Sequence, residues 1–521
     1  MTTSSTAARP ATSGFPLKFA APEVFARVHA DLLAASFDDA TLCRELHMDD
    51  MSDLGQVVWE GAVLDRLAPP LRCCLEVFVR GRRIPIAELV ASCGESLVAG
   101  ASALGLLRPA KHDPAALLCP VWLYPVDGFL VASDRRDDPD GDPFEPPEDV
   151  VFPAIYAGTL RFLQLLPDAR DAAALDLCGG SGIGALRLAR TARSAATADL
   201  TARSAAFSEF NARLNGLQME SLCGDLYEPV AGRMFDVITA HPPFVPSTGQ
   251  NMIYRDAGET GENVTIRVIA GLPAHLRSGG RCLVWCVVRD TDTLPLERRV
   301  QEWLGPAQAE FDVVFALEKV LRVEEVVESM RRRGQRIDDQ RARRLHERLR
   351  GIATKQFVYG GLLIERCREP HALPPLRIGL ALEATREDLD RLMRWRAERR
   401  APDFSARLAR SRPRLAPALE LTVRHVVRDG ELVPAEFTFS AQGAFRTGLR
   451  LDGWIVPLIA RLTGNESAGD VFEHARSASQ LPAGFPLSAW VELIAGLVEK
   501  GFLEAEGGQG STNIARVRER G

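Results

Sequence analysis

The sequence predicts an α/β protein with a doubly wound, mostly parallel sheet at its centre and a smaller domain on either side. Its 521 residues, of which 46% are apolar and 25% charged, are typical of a soluble chain with several folded domains. From residue 172 to residue 367, short apolar runs alternate with helical stretches, as in successive βαβ units. The segments before and after this region lack that alternation, so we expect three domains.

Six apolar runs of the central region are expected to be strands. They are residues 173–177, 195–200, 235–239, 281–288, 311–317 and 356–367. Between the last two lies an arginine-rich stretch, residues 322–350, which we expect to be a helical insertion between two paired edge strands. Cys282 and Cys286 lie four residues apart on one predicted strand and therefore face the same way. Because no further ligand type is nearby, we expect core residues and no metal site.

The flanking regions have their own patterns. Residues 15–133 predict a helical, winged-helix-like domain, with three short helices between residues 67 and 108 and a hairpin at 121–132. Residues 134–149 are acidic and rich in proline, which favours a linker. The central domain then covers residues 150–370. Residues 371–521 predict an α+β domain with a hairpin around Asp429-Gly430 and three helices that would form a second winged helix.

Charge and cysteine content limit the environment. The formal net charge of −6 gives no overall attraction to a nucleic acid backbone. The ten cysteines form no Cys-x-x-Cys pair, and no secretory signal opens the chain, so we expect reduced thiols and a cytoplasmic protein. No apolar run has the length of a membrane span. We therefore expect no membrane partner.

A glycine-rich loop follows the first strand of the central domain. The segment Asp176-Leu177-Cys178-Gly179-Gly180-Ser181-Gly182 lies between an apolar strand and a helix. Glycines let the backbone turn sharply and approach a ligand, although a tight turn in any α/β protein could produce the same pattern. Asp199 ends the next predicted strand, where its carboxylate could accept hydrogen bonds from both ribose hydroxyls of a nucleoside. Together these features predict a nucleoside cofactor.

Two further motifs follow in order. Asp225 comes after the third strand and could bind the amino edge of an adenine. The apolar strand at residues 235–239 then runs into His241-Pro242-Pro243-Phe244, a stiff turn with two prolines.

In this order, the motifs resemble those of class I methyltransferases of the small-domain type, which depend on S-adenosylmethionine (SAM). This group includes ribosomal RNA guanine methyltransferases and the glutamine methyltransferases of peptide release factors. The resemblance covers about residues 150–367. It implies a Rossmann-like class I methyltransferase core with a seven-stranded, mostly parallel sheet, SAM as the cofactor, and methyl transfer as the reaction.

The resemblance also assigns roles to residues. It implies that Asp176, Gly180 and Gly182 shape the methionine pocket, that Asp199 holds the ribose and that Asp225 holds the adenine. Cys178 stands where the family usually has a further glycine, which makes the loop more crowded. The predicted cofactor-binding residues are Asp176, Cys178, Gly180, Gly182, Asp199, Asp225 and His241.

His241 departs from the family, which has Asn-Pro-Pro-Tyr or Asn-Pro-Pro-Phe at this turn. A neutral imidazole offers one acceptor nitrogen and titrates near pH 6.5 when unperturbed. His241 could accept an N–H from a planar amine, while the Pro242 carbonyl accepts the other and Phe244 stacks beneath. It could instead remove a proton from a hydroxyl acceptor, or only pack within the turn. On the first two interpretations, His241, Pro242 and Phe244 are the catalytic residues.

Substrate contacts are expected from Phe244 and from the polar segment after the turn. Tyr254, Arg255 and Asp256 lie in that segment, and loops in this position often cover a substrate. An Arg255–Asp256 pair that only fixes the loop is an equally good interpretation. Tyr156, just before the core, is a weaker candidate.

The sequence therefore predicts a methyltransferase acting on an N (or O) acceptor of a peptide, a protein or a specialised small molecule. An rRNA or tRNA base is an alternative acceptor, and a homodimer is compatible with the flanking domains. A non-catalytic, SAM-sensing DNA-binding regulator is a further alternative. It is disfavoured because residues 94–103 and 486–497, the expected recognition helices, contain no lysine or arginine.

Overall fold

The protein divides into two compact units in the computed structural model, which describes residues 14–59, 61–244, 260–332, 337–417, 419–441 and 443–505. The first unit comprises Met1–Val313 and Lys319–Pro375, and the second comprises Val314–Glu318 and Leu376–Gly521. The change of unit at Leu376 lies close to the domain boundary expected after residue 370. No separate unit corresponds to the expected domain 15–133.

The N-terminal part of the first unit is mainly helical. Its helices are α1 (Pro22–Ala34), α2 (Asp39–Leu46), α3 (Gly61–Leu64), α4 (Pro69–Cys74) and α5 (Ile86–Ala103), with a 3₁₀ helix at Met51–Gln56 and a π-helical turn at Leu75–Val79. Its strands are β1 (Ile84–Pro85), β2 (Arg108–Ala110), β3 (Asp113–Leu118), β4 (Trp122–Val126) and β5 (Phe129–Ser133). β3 lies between β1 and β2, and β4 pairs with β5. The winged-helix assignment stays a prediction.

Helix α5 is the one described helix that is long and apolar enough to cross a membrane by length and composition. It is broken at Gly94, where φ is 84° and ψ is 153°, values outside the helical region. Each half is therefore much shorter than the roughly 20 residues that a membrane span needs.

The β4–β5 hairpin confirms the strand pair expected at residues 121–132. Its turn consists of Asp127 and Gly128, with φ of 52° and 68°. Two left-handed residues give a turn whose twist matches that of the flanking strands.

Part of the acidic segment at residues 134–149, expected to be a linker, is packed against the rest of the first unit. Asp134 is buried, and its carboxylate accepts a hydrogen bond from the N–H of Val151 at 2.8 Å and forms an ion pair with Arg203 at 2.5 Å. Asp140 is also buried and pairs with Arg108 at 2.6 Å. A polar composition usually favours a linker. In this segment the acidic side chains instead form ion pairs with residues that are distant in sequence.

The central part of the first unit confirms the expected α/β core. Its helices are α6 (Ala157–Leu165), α7 (Ile183–Ala189), α8 (Ala202–Leu214), α9 (Asn263–His275) and α10 (Leu296–Trp303), with 3₁₀ helices at Glu228–Val230 and Gly305–Glu310. Its strands are β6 (Ala173–Leu177), β7 (Ser194–Asp199), β8 (Glu220–Cys223), β9 (Phe235–Ala240), β10 (Leu276–Thr291), β11 (Phe311–Arg322) and β12 (Thr354–Arg366). All six predicted strands are present.

These seven strands follow the order β11-β12-β10-β9-β6-β7-β8. The pairs from β10 through β9, β6 and β7 to β8 are parallel, whereas β10 and β12 are antiparallel. The sheet is thus mostly parallel, and its strand order reverses between β6 and β9. Such a switch point is where open α/β sheets bind ligands, beyond the carboxyl ends of the strands.

The arginine-rich insertion forms two helices between β11 and β12. α11 is Val323–Arg332 and α12 is Asp339–Gly351. Their apolar side chains, among them Val327 and Leu349, pack on Phe357 of β12 and on Val287 of β10. The stretch between two neighbouring strands is therefore helical, as predicted.

The second unit combines a sheet with a helical cluster. Its strands are β13 (Leu376–Leu380), β14 (Arg414–Leu415), β15 (Leu419–Arg428), β16 (Glu431–Ala441), β17 (Phe445–Leu451) and β18 (Leu503–Glu504), and its helices are α13 (Arg386–Arg399), α14 (Phe404–Arg410), α15 (Val456–Ala460), α16 (Ala468–Ser477) and α17 (Leu487–Glu499). Residues 314–317 of β11, which belong to this second unit, pair in parallel with β13, so β11 is not the edge strand that the sequence predicted. The helices enclose a core around Trp490 and Phe472.

The hairpin predicted around Asp429-Gly430 is confirmed. β15 and β16 pair in antiparallel register from Arg428↔Glu431 to Leu419↔Ala441. Asp429 and Gly430 both have positive φ, 51° and 83°, as this two-residue turn requires.

Candidate active site

The acidic residues of the predicted cofactor site lie together at the carboxyl ends of parallel strands. Asp176 lies near the end of β6, Asp199 ends β7 and Asp225 follows β8. His241 directly follows β9, the other neighbour of β6. Because carboxyl ends of parallel strands meet at one edge of the sheet, these residues from distant parts of the chain share one site.

The glycine loop alternates between ordinary and left-handed backbone conformations. Cys178, Gly180 and Gly182 have φ of 59°, 53° and 83°. Glycine adopts this region without a steric penalty, whereas a residue with a Cβ is disfavoured there by roughly 1–2 kcal/mol. The conformation at Cys178 thus explains physically why related proteins usually have glycine at this position.

The loop is open to a ligand on one side and closed on the other. A Cβ added at Gly180 would meet no atom within 4 Å, whereas a Cβ at Gly182 would lie 2.7 Å from the hydroxyl of Ser208. A Cβ at Gly184 would lie 2.5 Å from the carboxylate of Asp176. The free space at Gly180 leaves room for a ligand to approach the backbone.

Two residues of α8 hold this loop, and the sequence interpretation missed both. The Ser208 hydroxyl donates to the carbonyl of Gly180 at 3.2 Å. The buried Asn211 side chain donates to the carbonyl of Ser181 at 2.9 Å and to that of Ala132 at 3.0 Å. The sequence held one signal for Asn211, a polar amide inside a helix. Once such an amide is buried, it needs hydrogen-bond partners outside its own helix.

Asp199 is fixed so that its carboxylate faces the glycine loop. It accepts the N–H of Gly180 at 2.9 Å and the N–H of Thr201 at 3.2 Å. Burial raises its pKa, and the hydrogen bonds from these backbone groups oppose that effect. The loop and the predicted ribose ligand therefore form one rigid arrangement.

Asp176 is buried beneath the same loop. The hydroxyl of Thr239 in β9 donates to it at 2.7 Å, and the N–H of Ala185 donates as well. Burial raises its pKa to about 7. Thr239 was not predicted from the sequence, although it lies two residues before His241 in the same strand.

The site carries negative charge. Burial first, and then the carboxylates of Asp199, Asp176 and Asp225, raise the pKa of the Cys178 thiol well above its ordinary value. Cys178 is therefore a neutral thiol at physiological pH. The same carboxylates favour a cationic ligand such as a sulfonium with an ammonium group.

Asp225, like Asp199 and unlike the buried Asp176, is partly exposed. It forms an ion pair with Arg267 of α9 at 2.8 Å. The ion pair holds the carboxylate at the end of β8, and its contact with an adenine stays a prediction.

The imidazole of His241 lies near two phenyl rings. Its centroid is 5.4 Å from the ring centroid of Phe162 in α6 and 6.2 Å from that of Phe244. The planes of the imidazole and of the Phe244 ring are inclined to each other by 19°. Burial lowers the pKa of His241 to about 4. The ring is therefore uncharged at neutral pH, and Pro242 beside it is buried.

A further aromatic pair lies on β10 and β12, and the sequence interpretation missed it. Its tryptophan, Trp285, directly follows Val284, which pairs with Ala240 at the end of β9. The buried Trp285 donates its indole N–H to the hydroxyl of Tyr359 at 2.6 Å. A Cβ at Gly158 of α6 would lie 2.5 Å from that hydroxyl, so α6 packs closely over the pair.

The helix that follows the turn is anchored by a buried ion cluster. Glu262, immediately before α9, has no exposed surface and binds two arginines. Arg289 donates to it at 2.5 Å and Arg299 at 2.7 Å. The cluster fixes the chain where it enters α9.

The predicted substrate residues divide into two groups. Phe244 is in the site, but Tyr254, Arg255 and Asp256 lie outside the described residues. Tyr156 is partly exposed just before α6, with its ring 5.4 Å from that of Phe152. The guanidinium of Arg136 lies over both rings.

SAM fits these residues on three grounds: the open backbone at Gly180, the carboxylates that favour a cation, and the acidic residue at the end of β7. SAM, when bound, supplies a methyl group on a sulfonium with a good leaving group. The contribution required of the protein is therefore alignment of the acceptor behind the methyl, which can supply several kcal/mol of the barrier.

The fold is that of a class I, SAM-dependent methyltransferase. Residues 153–309 match the methyltransferase small domain family. The chain thus carries a methyltransferase small domain, as its motifs predicted.

Relatives align with the central part of the chain. A protein named as an N5-glutamine methyltransferase of Methanocaldococcus jannaschii is 28% identical over 144 residues, which are 26% of this chain and 68% of that protein. Ribosomal RNA small subunit methyltransferase C of Alcanivorax borkumensis is 27% identical over 149 residues, with 27% and 42% covered. A release factor glutamine methyltransferase of Xylella fastidiosa is 33% identical over 138 residues, with 23% and 48% covered. The match spans less than half the length of the last two.

A double substitution tests the packing of the glycine loop. A Cβ at Gly179 would overlap the hydroxyl of Thr197, which is buried and has no hydrogen-bond partner in the described part of the chain. Gly179→Ala should therefore destabilise the protein by about 1–3 kcal/mol through overpacking. Thr197→Ala should be nearly neutral, and the double variant should recover at least half of the loss. Urea unfolding measures all three, and a double variant no more stable than Gly179→Ala would contradict this packing.

Proposed function

We propose that this protein transfers the methyl group of SAM to a neutral planar nitrogen, the side-chain amide of a protein or peptide. The observation that carries the proposal is the uncharged imidazole of His241, which lies near the rings of Phe162 and Phe244 and whose pKa burial lowers to about 4.

A base this weak is poorly matched to removing a proton from a hydroxyl, because efficient general bases have pKa values near the working pH. A neutral imidazole nitrogen can, however, accept a hydrogen bond from an amide N–H. His241 takes one N–H of the acceptor, the carbonyl of Pro242 takes the other, and the surrounding rings hold the flat group. The nitrogen is thereby oriented toward the methyl, and the proton that the nitrogen loses on methylation passes to solvent, so the site needs no strong base.

The relatives support an amide acceptor but leave a second candidate. Two of the three named above are glutamine methyltransferases, and the third is a ribosomal RNA methyltransferase. An rRNA guanine is thus the second candidate. The net charge of −6 favours the protein acceptor, since RNA binding relies on phosphate neutralisation by basic residues.

The test is incubation with methyl-labelled SAM and a fractionated cell lysate. We expect label in acid-precipitable material that is sensitive to protease and resistant to ribonuclease. Asp199→Ala, which removes the predicted ribose contact, is the control and should abolish labelling. Label that ribonuclease releases would replace the proposal with the RNA candidate, and label in neither fraction would refute a macromolecular acceptor.

A further inference from the structure

The first strand of the hairpin in the second unit is an edge strand. β15 stands at the end of the sheet order and pairs with β16 on one side. Edge strands leave alternate backbone N–H and C=O groups without a partner, and proteins usually protect them with proline, lysine or a covering element. β15 has ten residues, neither proline nor lysine, and mostly exposed side chains. It is therefore a ready template for another strand.

The sequence of β15 is complementary to itself in antiparallel orientation. If a two-fold axis passes through Arg424, Glu420 of one copy lies opposite Arg428 of the other. Leu421 then lies opposite Val427, and these side chains are 41% and 71% exposed. Opposite charges and apolar pairs that face each other across strands each contribute roughly 0.2–1 kcal/mol. Because of the symmetry, every such pair occurs twice.

The like charges at the axis are partly compensated within each copy, by one carboxylate that two arginines share. Arg424 forms an ion pair with Glu436 of β16 at 2.9 Å, and Glu436 also binds Arg450 of β17 at 2.6 Å. A register shifted by one residue would place Glu420 opposite Val427 and lose both ion pairs. The charges therefore favour the register about Arg424 over the register shifted by one residue.

We propose that β15 is a homodimer interface at which two copies pair in antiparallel fashion about Arg424 and join their sheets. This is an isologous contact, in which the same strand of both copies forms the interface. The proposal goes beyond the methyl transfer reaction and is independent of it.

The test uses complementary charge reversals. Light scattering coupled to size-exclusion chromatography should show the wild-type full-length chain associating to a dimer as its concentration rises. Glu420→Arg alone and Arg428→Glu alone each place like charges opposite one another, so each should weaken the dimer at least tenfold. Glu473→Arg, on the exposed surface of α16, reverses the same charge outside β15 and should leave the dimer unchanged.

Mixing the two single variants is the decisive step. A Glu420→Arg chain and an Arg428→Glu chain have matching charges at both positions, so their equimolar mixture should recover the mass of a dimer. A double variant that carries both changes should also dimerise with itself. Circular dichroism melts of the separate variants check that they are folded. A wild type that stays monomeric, or folded variants whose mixture does not associate, would overturn the proposal.

Discussion

Asp176→Asn is expected to make the unliganded protein more stable at pH 8 while weakening its affinity for SAM. The carboxyl group of Asp176 is buried, and its pKa is raised from 3.8 to about 7. Between these values the folded protein binds more protons than the unfolded chain, so its stability falls as the pH rises through this window and is constant above it.

The size of the effect follows from two opposing terms. The difference between the two pKa values corresponds to about 4 kcal/mol at most. An asparagine does not titrate and escapes this loss, but it offers one acceptor oxygen instead of two to the Thr239 hydroxyl and the Ala185 N–H, which costs about 1–3 kcal/mol. The net gain at pH 8 should be about 1–3 kcal/mol, and toward pH 4 it should turn into a loss of about 1–3 kcal/mol, because only the hydrogen-bond cost remains there.

Urea unfolding at pH 5 and pH 8 measures the stability, and calorimetry measures SAM affinity, which should fall because one of the carboxylates that attract the cation is lost. Asp236→Asn in β9 is a matched control, for which the expected change in stability at pH 8 has the opposite sign. Burial acts to raise the pKa of Asp236, but the Ala173 N–H and the Arg277 guanidinium outweigh it and hold the pKa below its usual value. Asp236→Asn should therefore destabilise at pH 8. An Asp176→Asn protein less stable than wild type at pH 8 would contradict our account of the buried carboxyl.

Substitutions of His241 are expected to separate hydrogen bonding from base catalysis. His241→Asn restores the amide of related proteins and should keep kcat/KM within about tenfold of wild type. His241→Ala removes the acceptor group and should lower kcat/KM about 10²–10³-fold, the effect typical of losing one positioned hydrogen-bonding group.

The pH profile gives an independent readout. Since the pKa of His241 is lowered to about 4, the imidazole stays neutral as the pH falls from 9 to 6 and is protonated only near pH 4. Wild-type kcat/KM should thus show no ionisation of this residue near pH 6.5. A base-catalysed reaction would instead show activity rising through that pH, with an inactive His241→Asn protein. Separate KM values for SAM distinguish effects on cofactor binding from effects on the acceptor.

The features predicted well from the sequence are those with strong local patterns. Strand β6 has the predicted bounds, and the loop from Cys178 to Gly182 has the left-handed residues that its glycines suggest. Such segments combine an apolar run with glycine, a residue type that is strongly favoured where the backbone is left-handed. The same reasoning located the turn at Asp429-Gly430.

The features that were missed depend on contacts between distant segments. Asp134 and Arg203 pair across 69 residues, so the acidic composition of the segment alone could not reveal that it is packed. The Trp285–Tyr359 pair spans 74 residues and depends on the register of β10 with β12. No local pattern distinguishes these residues from ordinary strand residues, because their role is fixed only once the sheet has assembled.

The helical insertion has an evolutionary consequence. β11 ends at Arg322, β12 begins at Thr354, and the two strands are neighbours, so a short turn could join them without altering the strand order. Excising the insertion would chiefly leave Val287 and Phe357, which now pack against it, facing water. This part of the chain can therefore be exchanged, lengthened or lost while the catalytic sheet is inherited unchanged.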